Sequence, residues 1–283
     1  MSEGSPQPPP SVNAQGPLPP FEMLPSALRS QAKVASVGDV PVLLIRPELV
    51  IGDRPPLLIW LHGRTAYKEI DAGRFLRLMR RGFAVCAMDL PGHGARMDLA
   101  MQAPNRVLEV IMQAVGELDM VTTAAVDRLG ADPDRVAIGG MSAGGMVSAA
   151  RLCSPHRFAA LIMEASSGDW GFLPARQRGG RDQTAMVQAS DPIEHLQDWK
   201  PVPVLAIHSR LDRWIPFESQ WRFLDAIEAL GPSSLIERVA YDRTGAQAEH
   251  VGFGSCSADA KERVCTFLER RLLTGQGTGA ACQ

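Results

Sequence analysis

The sequence predicts an α/β fold built on a mostly parallel, doubly wound sheet with helices on both faces, and three observations carry that prediction. Short apolar runs without polar alternation recur along the chain, stretches of helical periodicity stand between them, and one run ends in a tight Gly-x-Ser-x-Gly turn that opens a helix. Continuous apolarity suits a parallel strand covered on both faces, and regular strand–helix alternation builds such a sheet. Ligands then bind beyond the carboxyl ends of the strands, so residues just past those ends are the candidates for chemistry.

The elements follow in order. Residues 1–30, which include Pro8-Pro9-Pro10, form a Pro-rich arm with too little apolar surface to offset the entropy of ordering, and are expected to be flexible. The β-branched-rich runs Lys33–Val37 and Val40–Ile45 flank Gly38-Asp39 and read as a hairpin at a sheet edge. Pro56–Leu61 is an apolar strand that ends in His62-Gly63. Phe75, Leu76 and Met79 share one face of a helix over 72–81, which Gly82 ends. A second buried strand at 83–88 closes on Asp89-Leu90-Pro91-Gly92-His93-Gly94.

Residues 106–129 read as one long helix with Val110, Ala114, Leu118, Val121, Ala125 and Leu129 on one side and Gly130 as its cap. The strand beginning at Arg135 runs into the Ser142 turn and a helix to about Leu152, and a further strand covers 159–163. Residues 166–200, rich in glycine and charge and carrying Trp170 and Trp199, are expected to form a short cap insertion over the top of the sheet. A strand at 203–208, a helix at 217–230, a strand at 234–241 and an amphipathic helix at 258–273 complete one domain spanning 31–273, and 274–283 is a Gly-rich tail expected to be flexible.

Of the 283 residues, 29 are Lys or Arg and 31 Asp or Glu, a net charge of −2, so no basic surplus points toward nucleic acid or an anionic membrane. The expected partner is a small molecule. The N-terminus carries neither a basic start nor an apolar run suited to secretion, and no stretch approaches the ~18 to 20 apolar residues that span a bilayer; a cytoplasmic location is the expectation. Five cysteines, Cys86, Cys153, Cys256, Cys265 and Cys282, show no metal-ligand spacing, and neither metal nor cofactor is expected. Cys86 and Cys153 fall in apolar elements and read as packing residues.

The chemistry centres on Gly140-Met141-Ser142-Ala143-Gly144. A serine at a tight strand-to-helix corner sits in a strained backbone conformation that leaves no room for side chains two residues either side, hence the glycines. The turn lifts the hydroxyl above the sheet, and the helix N-terminus behind it aims backbone N–H groups at the same spot, the Ala143 N–H among them. Such a serine needs a base, and the base needs an orienting carboxylate. His62 and His93 precede the turn, His156 and His195 lie in polar connections and His208 ends a strand. His250 instead stands in a glycine-bearing loop after the last strand, able to swing over the sheet, and Asp212 stands in the loop after the preceding strand. Asp169, also past a strand end, is the rival for the acid. Asp89, His93 and His62 read as braces for loops beside the site.

The order Ser142, Asp212, His250 matches the triad order of the α/β-hydrolase fold. Together with Trp60-Leu61-His62-Gly63, Asp89–Gly94, Asp132-Pro133-Asp134-Arg135-Val136, His208–Pro216 and Glu249-His250, it makes the chain resemble serine α/β-hydrolases from about Lys33 to Leu273, in particular the small esterases related to prolyl oligopeptidase and dienelactone hydrolase. The nucleophile position departs from dienelactone hydrolases proper, which use cysteine. Prolyl oligopeptidases carry a propeller ahead of the hydrolase, whereas about thirty residues precede the first strand here, a departure that argues against an oligopeptidase. The resemblance implies a second oxyanion donor in the Gly63-Arg64-Thr65 loop, assigned to the backbone N–H of Arg64. The Arg64 side chain reads as solvated at the cleft mouth or as a contact for an anionic substrate.

Met141, Trp170, Trp214 and Val251 are candidates to line the substrate pocket, with Met146 and Phe172 as further possibilities, and any of them could instead be core. The expected activity is hydrolysis of short- to medium-chain carboxylic esters through an acyl-enzyme, the insertion being too short for a large lid. Two alternatives stand beside it: a peptide or amide hydrolase of the same clan, and a relative that binds ligands without turnover.

Overall fold

Eight strands form one sheet in the order β1-β2-β4-β3-β5-β6-β7-β8. They are β1 (Ala32–Val37), β2 (Val40–Ile45), β3 (Leu57–Leu61), β4 (Ala84–Met88), β5 (Val136–Met141), β6 (Ala160–Glu164), β7 (Val204–Ser209) and β8 (Ile236–Tyr241). The computed structural model describes residues 21–48, 54–173 and 181–273, with the backbone alone at 181–184. β1 and β2 pair as an antiparallel hairpin at the sheet edge, β2 runs antiparallel to β4, and every remaining pair is parallel.

Alternation along the strands explains why both faces are apolar. On β3, Leu57, Ile59 and Leu61 enter one core layer while Leu58 and Trp60 enter the other. The first layer is closed by helices α3 (Val107–Leu129), α4 (Ala143–Leu152) and α6 (Phe217–Glu228), the second by α1 (Ser26–Arg29), α2 (Ala72–Arg80) and α7 (Ser257–Leu268). On α3 the stripe Val110, Ala114, Leu118, Val121, Ala125 and Leu129 is buried, and Gly130 ends the helix in the left-handed region at φ 61°. β3 has β4 on one side and β5 on the other, so the chain winds outward in both directions from these central strands. That reversal opens the crevice above the carboxyl ends of β3 and β5.

Two boundaries differ from the expectation. Residues 1–20 of the anticipated arm lie outside the described residues, but 21–30 pack against the core: Leu24, just before α1, and Leu28, within it, bury into the second core layer. The segment at 166–200 is likewise part core. Trp170 and Trp199 join the first layer, Trp199 meets Phe223 edge-on at 5.8 Å, and helix α5 (Arg181–Ser190) follows the stretch at 174–180 that lies outside the described residues. The anticipated tail at 274–283 also lies outside them. Cys86 and Cys153 are buried, and burial pushes both thiols up to about 12. No helix among the described residues is long and apolar enough to cross a membrane.

Candidate active site

Ser142 stands between the last residue of β5 and the first of α4 with φ 54° and ψ −119°, a region that side-chain-bearing residues rarely occupy. The conformation is held from both sides: the Ser142 N–H donates to the Glu164 carbonyl at 2.8 Å, and its own carbonyl accepts from Met146 N–H at 3.0 Å. A Cβ on Gly140 or Gly144 would run into the Leu61 carbonyl, so the close approach of β3 to the turn requires glycine at both positions.

The turn brings Ser142 Oγ to 2.9 Å from His250 Nε2, and His250 Nδ1 lies 2.7 Å from Asp212 Oδ2. A carboxylate only accepts, so Nδ1–H donates to Asp212 and leaves the Nε2 lone pair to accept the serine O–H. The second carboxylate oxygen, Oδ1, accepts the N–H groups of Trp214 and Ile215 at 2.7 and 2.9 Å. Burial works to raise the Asp212 carboxyl, but hydrogen bonds from His208 and His250 outweigh it and hold the group down at about 2. The Trp214 ring covers His250, centroid to centroid 4.8 Å. Asp169, the rival acid, is engaged elsewhere, with Arg222 Nε at 2.6 Å and the Gly171 N–H at 3.0 Å.

The His250 loop is anchored by a residue to which sequence reasoning assigned no role. The Glu249 carboxylate accepts from Thr244 N–H (2.6 Å), Thr244 Oγ1 (2.8 Å), Gly245 N–H (3.0 Å) and Ser209 Oγ (3.2 Å). The Thr244 bonds, first among these, hold its carboxyl below the ordinary value. Its place next to His250 was the visible signal; the fan of donors was not.

The loop after β3 abuts the serine, since a Cβ on Gly63 would touch Ser142 Cβ at 3.4 Å. Thr65 takes a positive φ of 60° there. Asp89 ties this loop to the end of β4 by accepting from Lys68 N–H (2.8 Å), Lys68 Nζ (3.0 Å) and Ala95 N–H (2.9 Å). Lys68, also missed from sequence, is buried and meets Glu69 at 3.0 Å as well. His62 spans the same gap, its Nδ1–H donating to the Gly63 carbonyl at 2.6 Å while Nε2 accepts Leu90 N–H at 3.0 Å; burial pushes its imidazole down to about 4. The Arg64 side chain is half-buried, and its guanidinium donates to the Gln102 carbonyl in the loop beyond β4. The backbone N–H of Arg64 belongs to the loop that faces Ser142, and that of Ala143 is the first of α4, where helix N–H groups have no partner within the helix.

Of the candidate pocket residues, Met141 is half-buried beside the serine, Trp214 packs against His250 with the two rings tilted by 48°, and Val251 is 46% exposed. Trp170 is a correction: it has no exposed surface, and its indole N–H donates to the Ser167 carbonyl at 2.9 Å within the core. Its size and apolarity place it in the layer under α6 rather than at the rim. Met146 is also buried, and Phe172 packs against the same layer.

Comparison with known proteins agrees with this architecture. The prolyl oligopeptidase family matches residues 74–272. The chain is 26% identical over 219 residues to the esterase YjfP of Escherichia coli, covering 71% of this chain and 86% of that one. The structure of TT1662 from Thermus thermophilus superposes with a TM-score of 0.71 at 24% identity, over 86% of this chain and 98% of that one. A puromycin-hydrolysing peptidase of Mycobacterium tuberculosis superposes with a TM-score of 0.70 at 18% identity over 88% of this chain, which spans 40% of that peptidase. With a match over most of its length and the sheet to go with it, the chain belongs to the prolyl oligopeptidase family, within the α/β-hydrolase fold.

Proposed function

We propose that this protein is a cytoplasmic carboxylic ester hydrolase that works through an acyl-enzyme on Ser142. The observation that carries the reading is the unbroken relay from Ser142 Oγ through His250 to Asp212, with links of 2.9 and 2.7 Å. Ser142 Oγ attacks the acyl carbon as His250 Nε2 takes its proton. The tetrahedral oxyanion is received by the N–H groups of Ala143 and Arg64, each such donor contributing about 3 kcal/mol to the transition state. Collapse expels the alcohol, which leaves with the proton from His250. Water then repeats the sequence on the acyl-enzyme. Asp212, held ionised, keeps the imidazole in the productive tautomer. Met141, Trp214 and Val251 line the acyl or alcohol side, and the shortness of the segment at 166–200 supports short- to medium-chain substrates.

The family match and the likeness to a peptidase support a second reading, hydrolysis of a peptide or amide bond, in which His250 protonates a leaving amine. The test is turnover of p-nitrophenyl esters from acetate to palmitate beside an aminoacyl p-nitroanilide, with wild type and Ser142→Ala. Ester turnover that falls at least about 10⁴-fold in the variant is the expected result. Anilide turnover without ester turnover moves the protein to the amide hydrolases. Failure of both, with no labelling of Ser142 by a fluorophosphonate, leaves a ligand-binding relative.

A further inference from the structure

A guanidinium crosses beneath the strand that carries the serine. Arg74, in the first turn of α2, is buried, and its guanidinium lies over the Trp60 ring of β3, 4.1 Å from the centroid. Its Nη2 donates to Glu164 Oε2 on β6 at 2.7 Å. Trp60 is fixed in turn by its indole N–H, which donates to Asp71 Oδ2 at 2.8 Å just ahead of α2. β5, which ends one residue before Ser142, runs between β3 and β6, so Arg74 reaches across it from one neighbour to the other. The crossing lies on the face opposite α4: Trp60 and Ile162 enter the second core layer, and alternation along β6 puts Glu164 on the same side.

The pair reaches the backbone of the site through Glu164. The peptide group that follows this residue is bonded on both sides, its carbonyl accepting Ser142 N–H and its N–H, that of Ala165, donating to the Ile207 carbonyl of β7, each at 2.8 Å. Ser142 and Ala165, the two residues this peptide joins, both hold positive φ, at 54° and 42°. Residues with side chains persist there only where the surroundings over-determine them. Stability is a poor reason for the ion pair itself. A buried pair is often no better than apolar residues of like volume, and this one leaves Glu164 Oε1 and Arg74 Nε and Nη1 without hydrogen-bond partners among the described residues.

We propose that Arg74 and Glu164 are positioning residues: their ion pair clamps the peptide group at the end of β6 that holds the Ser142 turn, and so fixes where Oγ stands against His250 and the loop after β3. Both act through Ser142, from the far face of the sheet. The consequence for turnover rests on the esterase reading; the grip on the Ser142 turn does not.

The test is the double variant Arg74→Met/Glu164→Leu, which removes both charges and leaves neither ion unpaired. Its kcat on the best p-nitrophenyl ester is expected to fall by about one to two orders of magnitude with KM nearly unchanged, because Oγ is misaimed while the substrate keeps its site. Amide hydrogen exchange at Ser142 is expected to speed up about tenfold or more, a local opening. Leu161, whose N–H bonds the Pro203 carbonyl near the start of β6, is expected to keep its rate. Unchanged kcat, a loss confined to KM, or equal acceleration at both amides in a folded variant overturns the proposal, since a pair that serves only stability predicts those results. Should the variant not fold, the wild type decides: a Ser142 amide that exchanges as slowly as Leu161 supports the clamp, and one that exchanges as fast as an open loop overturns it. A wild type that turns over no ester and takes up no fluorophosphonate, but whose Ser142 exchange still responds to the double variant, faults the esterase reading alone.

Discussion

The two loops that flank the serine are held by opposite means. The loop after β3, which abuts Ser142, is held at a distance: Asp89 at the end of β4 takes Lys68 N–H, Lys68 Nζ and Ala95 N–H, and His62 reaches Leu90. The loop that carries His250 is held largely from within, since Glu249 gathers Thr244 and Gly245 from its own turn and adds only Ser209 from outside. The first spends buried charge; the second spends backbone strain, with positive φ at Ala248, Glu249 and Phe253 as well as at Gly252 and Gly254. The difference has a functional sense. On the proposed esterase reading, oxyanion donors must be rigid relative to the strand that bears the serine, which calls for a non-local brace, whereas an imidazole needs only to be aimed, and a self-folded turn can aim it.

Breaking the distant brace should have the largest effect. Asp89→Ala leaves the Lys68 ammonium buried with only Glu69 beside it, and is expected to destabilise the fold by about 4 kcal/mol, read as a fall in urea midpoint. A change below ~1 kcal/mol would mean that the loop stands without the charge cluster.

The same brace should be sensitive to acid. The folded His62 imidazole is pushed down to about 4, whereas in the unfolded chain it titrates near the ordinary 6.5. Its contribution is fully present above 6.5, where both states are neutral. As pH falls from 6.5 toward 4 the unfolded state alone takes up the proton, and about 3 kcal/mol of stability is lost. Urea midpoints of wild type and His62→Gln across that range should differ in slope by one proton; parallel slopes would remove His62 from the account.

The local brace should matter least to the fold and most to alignment. Glu249→Ala is expected to lower kcat about tenfold to a hundredfold with KM nearly unchanged, because His250 loses its aim rather than the substrate its site. A loss confined to KM would place Glu249 in binding and erase the contrast between the loops.

Much of this arrangement was legible in the sequence, and what was legible shares a cause. The strand and helix positions follow from apolar runs and helical stripes such as that of α3, the turn at Ser142 from its flanking glycines, and the order Ser142, Asp212, His250 from chain topology. The misreadings also share a cause. Trp170 looks the same in sequence whether it lines a pocket or fills a core. Arg64 gave no sign that its guanidinium would reach Gln102, 38 residues on. Lys68 is an ordinary surface residue until Asp89 is placed beneath it.

Local sterics, periodicity and the order of the loops past the strand ends are what the sequence determined: where the chain extends, where it coils, where a strained turn must carry a serine, and which acid and histidine follow it. Only the tertiary structure decided that the Asp212 carboxylate meets His208 as well as His250, that Asp89 takes up Lys68, and that Arg64 reaches Gln102. Such partners are set by the sum of every crossover between them, and a hydrogen bond, which fades within an ångström, registers nothing until that sum is complete.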